Sequence, residues 1–202
     1  MTMMMCLALV CGAQSADKLY QEGKKLYDNK QYAQAVVKLR AAADKGHKKA
    51  QYRLGRCYDK GNGVAENDQM AVQWYTQSAA QGYAKAQYQL GKCYKNGEGV
   101  EKNLAKAIDY YSKAAKQDNA DAQLALGKCY LKGKGVTADK AKAKSWCKKA
   151  VKNEKDGKQI LAKLREEAAA RAKDDKKYFW LGALVSAVIS VAVSLLTHFL
   201  AA

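Results

Sequence analysis

The chain has 202 residues, with 36 lysines and arginines against 19 acids, and its net charge of +17 falls almost wholly between Asp17 and Lys177. It has no proline, 13 tyrosines and only 2 phenylalanines, and it is rich in alanine and lysine, a composition that favours helices. Its charge favours anionic partners (anionic surfaces, acidic peptides, polyanionic carbohydrate or nucleic acid) over cationic ones, or else describes a lysine-coated, solvated surface.

Residues 1–16, MTMMMCLALVCGAQSA, run apolar from Met3 to Val10 and then small. This is the pattern of an export signal without its positive leader, and it is too short to span a bilayer. Cleavage near Ala13 or Ala16 removes Cys6 and Cys11. Residues 17–47 read as one helical hairpin, with Gly23, Tyr32, Ala35 and Ala42 at its small and aromatic positions.

Residues 48–153 hold a phrase repeated every 36 residues: LGRCYDKGNGV from Leu54, LGKCYKNGEGV from Leu90 and LGKCYLKGKGV from Leu126. Ala50, Ala86 and Ala122 precede the leucines by four, and Tyr58, Tyr94 and Tyr130 follow them by four, which is the spacing of one helix face. The pairs Gly61 and Gly63, Gly97 and Gly99, and Gly133 and Gly135 end these helices, and Val64, Val100 and Val136 plug the loops. Asn67, Asn103 and Asp139 cap a second helix, which continues through Ala71, Ala107 and Ala143 to Trp74, Tyr110 and Trp146. Each copy is thus a hairpin that buries its faces only by stacking on neighbours, giving an all-α solenoid.

After Ala150 the phrase fails, and residues 154–177 read as a capping helix leading to a membrane. Residues 178–200, YFWLGALVSAVISVAVSLLTHFL, are 23 residues without an acid, lysine or arginine. As a helix they reach about 34 Å, enough to cross the hydrocarbon layer. Tyr178, Phe179 and Trp180 form an aromatic belt beside Lys173, Lys176 and Lys177. Gly182, Ser186, Ser190 and Ser194 share one face of this segment, a spacing that permits self-association. The expected topology is a single-pass C-terminal anchor. The export signal points to a periplasmic or extracytoplasmic repeat domain, and the lysine flank to the cytoplasmic alternative.

The pattern A-x3-L-G-x2-Y-x2-G-x-G-V, followed by A-x2-W/Y, resembles the Sel-one-like repeat, a variant of the tetratricopeptide repeat. The match covers about residues 50–153, while 19–46 look like an ordinary tetratricopeptide hairpin without the G-x-G-V loop. The resemblance implies a right-handed superhelical solenoid and a scaffold or adaptor that gathers protein partners. Some secreted relatives carry a disulfide within each repeat, and some are associated with β-lactam binding or hydrolysis. Here a cysteine in the second helix occurs only once, as Cys147, so a Cys129–Cys147 bond stays open. Cys57, Cys93 and Cys129 themselves are one repeat, roughly 10 Å, apart. That is too far for mutual disulfides, so they read as packing residues.

Lys24, Arg56, Lys92 and Lys128 follow the packing glycine of each hairpin. Tyr20, Tyr52, Tyr88 and Leu124 precede it by three. Four residues apart, the two sets form parallel rows on the first helices, which line the concave side of a solenoid. The rows suit an acidic or C-terminal peptide, or else pack between repeats and face water. A polyanion-binding module is the alternative, although no nucleic-acid motif is present. No catalytic residues, metal ligands or cofactor are expected. His47 and His198 stand isolated in sequence, no C-x2-C pair occurs, and nothing supplies a serine or metal mechanism for β-lactam hydrolysis.

Overall fold

The computed structural model describes residues 14–152. The expected export signal up to residue 13, the expected capping helix over 154–177, and the expected membrane run 178–200 with Gly182, Ser186, Ser190 and Ser194 lie outside the described residues. Among the described residues no helix is long and apolar enough to cross a membrane.

Among the described residues eight helices follow one another: α1 Ala16–Asp28, α2 Tyr32–Asp44, α3 Lys48–Lys60, α4 Asp68–Ala80, α5 Ala84–Asn96, α6 Leu104–Ala115, α7 Ala120–Lys132 and α8 Lys140–Lys152. The helices follow in the expected order, and the 36-residue period is kept in their bounds: α3, α5 and α7 start one period apart along the chain, as do α4, α6 and α8. Two compact units divide the chain after Lys102. The first holds α1 to α5, and the second α6 to α8.

The helix ends form for local reasons. Asn67 Oδ1 accepts from the Met70 N–H at 2.9 Å, Asn103 from Lys106 at 2.9 Å and Asp139 from Lys142 at 2.9 Å, satisfying amides that the first helical turn leaves orphaned. Gly61, Gly97 and Gly133 adopt left-handed φ values of 63°, 84° and 62°, and their N–H groups close on the carbonyls of Cys57, Cys93 and Cys129.

The second loop glycine has a different task, which sequence reading did not separate from the first. A Cβ on Gly63 would lie 2.4 Å from the Tyr32 carbonyl, and one on Gly99 would lie 2.3 Å from the Asp68 carbonyl oxygen. Tyr32 and Asp68 open the second helix of the preceding hairpin, so this glycine is where one hairpin seats its loop on another. In the second unit a Cβ on Gly135 would meet Leu104, which opens α6, at 2.8 Å from its Cβ and 3.1 Å from its carbonyl oxygen.

Within a hairpin the glycine of the first helix lets a large residue of the second come close. A Cβ on Gly23 would stand 2.9 Å from Leu39, on Gly55 2.7 Å from the Tyr75 ring, and on Gly127 2.6 Å from Cys147 Sγ. Leu39, Tyr75 and Cys147 share one register. Cys147 is therefore the packing partner of Gly127, and no disulfide joins it to Cys129. Of the repeated thiols Cys57 and Cys93 are buried, while Cys129 is only half-buried.

Candidate functional site

The row residues lie on the first helices, with unequal surroundings. In the first unit Lys24 on α1 pairs with Asp28 one turn on, at 3.2 Å. Tyr20 is buried and stacks on the His47 ring at 4.5 Å. Tyr52 on α3 is half-buried, with its ring 6.0 Å from Tyr75 and 5.3 Å from Tyr83. Tyr88 and Lys92 on α5 are half-buried. In the second unit Lys128 is half-buried on α7, beside Cys147, and Leu124 is buried.

Arg56 stands apart. Burial works against its charge, but the Tyr52, Tyr27 and Tyr75 phenols outweigh that, with Tyr52 also hydrogen-bonded to it, and its pKa moves up. Among the described residues neither Arg56 nor Lys92 makes an ion pair. The Tyr75 phenol, one of these three, has its hydroxyl buried and without a hydrogen-bond partner among the described residues. Burial, with Asp59 next, holds that phenol far above its ordinary range.

Around this face the α1–α3 contact is built from mixed aromatic and charged pairs. Arg53 reaches Asp28 at 3.7 Å and lies 5.6 Å from the Tyr27 ring centre, and Asn62 Nδ2 donates to the Tyr27 hydroxyl at 2.9 Å. Arg40 on α2 hydrogen-bonds Tyr58 on α3 and covers the Trp74 ring on α4 at 5.9 Å.

Two sets of residues that sequence reading passed over prove structural. Gln51, Gln87 and Gln123 are buried, and each donates from Nε2 to the last-turn carbonyl of the preceding second helix: Ala43 at 3.2 Å, Ala79 at 3.3 Å and Ala115 at 3.1 Å. The signal was present, because each follows the repeated alanine of its copy. His47, isolated in sequence, caps α3 by accepting the Ala50 N–H at Nδ1, 3.1 Å away, while Nε2 meets Asp17 at 3.0 Å.

Three of the thiols are chemically quiet. Burial pushes Cys57 up to about 11, Cys93 to about 12 and Cys147 to about 11. Among the described residues no group of three or more His, Cys, Asp or Glu side chains gathers at one point.

A family model for the Sel1 repeat matches residues 48–83, 84–119 and 120–154, more than half of the chain. The chain belongs to the Sel1 repeat family. Solved structures agree with this Sel1 assignment. A Sel1 repeat protein from Oxalobacter formigenes is 35% identical over 72% of this chain and 57% of that one, with a TM-score of 0.66. The protective antigen c5321 of uropathogenic Escherichia coli, which displays an SLR fold, is 32% identical over 73% of this chain and 32% of that one, with a TM-score of 0.68. The chain thus spans little more than half of the first relative and about a third of the second. No curated protein matches it at a significant level.

Proposed function

We propose that this Sel1 repeat protein is a membrane-anchored scaffold whose first-helix face captures an acidic segment of a protein partner. The observation that carries this reading is Arg56: a guanidinium held among three phenols, with no carboxylate opposite it among the described residues. Its planar donors match a carboxylate in two-point fashion, and the tyrosines supply rigid contact area that loses little entropy on binding. Lys92 extends the cationic row, while Lys24 is partly occupied by Asp28.

Residues 178–200 serve as the anchor, with Gly182, Ser186, Ser190 and Ser194 as a self-association face. Residues 1–16 act as the export signal that places the repeats on the extracytoplasmic side. Protease protection of sealed vesicles separates this sidedness from the cytoplasmic alternative.

The binding test is crosslinked pull-down from membranes with the Arg56→Glu, Lys92→Glu pair. Capture of the partner should fall at least tenfold, equivalent to about 1.4 kcal/mol, with helicity unchanged. Undiminished capture by the double variant would sink the reading. Arg56→Lys should lose part of the capture, because it keeps the charge but not the planar fork.

A further inference from the structure

Helix α8 differs in charge from its counterparts. Its sequence, KAKAKSWCKKAVK, contains no acid. The side that packs is set by Ala143, Cys147 and Ala150, all buried. Lys140, Lys144 and Lys148 recur every four residues on one stripe, and Lys142 and Lys149 share a second; all five are exposed.

The repeat does not need these cations. One period earlier the first stripe holds Leu104, Ile108 and Ser112, and two periods earlier Asp68, Val72 and Thr76. Val72 is buried, so a position that an earlier copy fills with an apolar side chain carries an exposed ammonium in α8. Part of this charge has partners on the repeat itself. Asp139 pairs with Lys142 at 3.5 Å, and Lys149 covers the Trp146 ring at 4.6 Å. Lys144 and Lys148 make no ion pair among the described residues.

We infer that this lysine face docks on anionic lipid headgroups at a membrane surface. The choice of lipid rests on the reading of residues 178–200 as the anchor. Only residues 153–177 separate the face from that 23-residue uncharged run, a connection that spans at most about 85 Å when fully extended. An anchor at that distance keeps the face at high effective concentration beside the headgroups. Flexible ammonium groups suit phosphates of irregular spacing, and each lysine near an anionic surface adds about fivefold in affinity.

The test uses the full chain reconstituted in lipid nanodiscs, with amine acylation of Lys140, Lys144 and Lys148 followed by mass spectrometry. In discs containing phosphatidylglycerol, acylation should run at least fivefold slower than in pure phosphatidylcholine discs, and 0.5 M salt should abolish the difference. The K144E/K148E variant should restore the reactivity of Lys140 in the anionic discs. Equal reactivity in both lipids overturns the proposal. So does protection by an added RNA oligonucleotide without protection by anionic lipid, which would reassign the face to nucleic acid. Failure of the chain to enter discs of either composition refutes the anchor instead. Flotation with phosphatidylglycerol vesicles then decides the lysine face: co-flotation that K144E/K148E abolishes supports docking, and its absence overturns it.

Discussion

Tyr75 shows how one side chain serves packing and leaves a cost behind. Its ring fills the space that the missing Cβ of Gly55 opens, and its hydroxyl is buried without a partner among the described residues. Such a group loses its bonds to water and gains nothing in return. Tyr75→Phe keeps the ring and removes the hydroxyl, so we expect it to raise stability by about 1 kcal/mol, read as a higher denaturation midpoint; a loss would show that the hydroxyl has an acceptor. The thiols argue by pH. Burial raises Cys57 to about 11 and Cys93 to about 12, above the ordinary thiol range. The folded state therefore favours the protonated form. The resulting stability is complete below the ordinary thiol pKa and drains away as pH climbs through these raised values. Denaturation midpoints followed upward from pH 9 should fall progressively, and less steeply in the Cys57→Ala, Cys93→Ala variant. At neutral pH, maleimide should label half-buried Cys129 well before Cys57, Cys93 or Cys147.

Among the elements, the loop glycines separate two costs that often come together. Gly82 has φ +76° with nothing near a would-be Cβ, whereas Gly99 has φ +66° and the Asp68 carbonyl oxygen at 2.3 Å from it. Gly82→Ala adds left-handed strain alone, about 1 kcal/mol. Gly99→Ala adds steric overlap with backbone that cannot rotate away, and we expect about 3 kcal/mol in all. Equal losses in thermal melts of the two variants would remove the distinction. Asp118 takes the left-handed place one period after Gly82, at φ +58°, and shows that the place tolerates a short polar residue. The helix boundaries, caps and crossing glycines were legible in the sequence because each depends on a residue type that local geometry demands. The second-glycine contact was not, because it depends on what a preceding hairpin brings near. Gln51, Gln87 and Gln123 escaped for a related reason: a glutamine on a helix reads as a solvated residue until a buried carbonyl is found opposite. In the candidate site the rows were legible by spacing. The inequality between Lys24, tied to Asp28, and Arg56, set among phenols, appears only with the neighbours in place.

At the scale of the whole molecule the charge acts on folding and on binding with opposite sign. The chain carries +17, and several of its ion pairs join residues one turn apart on a single helix, Lys24–Asp28 and Lys113–Asp109 among them. Such exposed pairs contribute little and cannot offset the mutual repulsion of so many cations. Salt shortens the reach of that repulsion to about 3 Å at 1 M, from about 10 Å at 0.1 M. Added salt should therefore raise the Tm by a few degrees while it weakens capture of an acidic segment at Arg56 and Lys92. A specific test is to run both titrations on one preparation. Tm and dissociation constant should rise together from 0.05 to 0.5 M sodium chloride, and the Arg56→Glu, Lys92→Glu variant should keep the first trend and flatten the second. A Tm that falls with salt would mean that attractive ion pairs dominate the folded state. A dissociation constant indifferent to salt would move the binding energy from the cations to the tyrosines beside them.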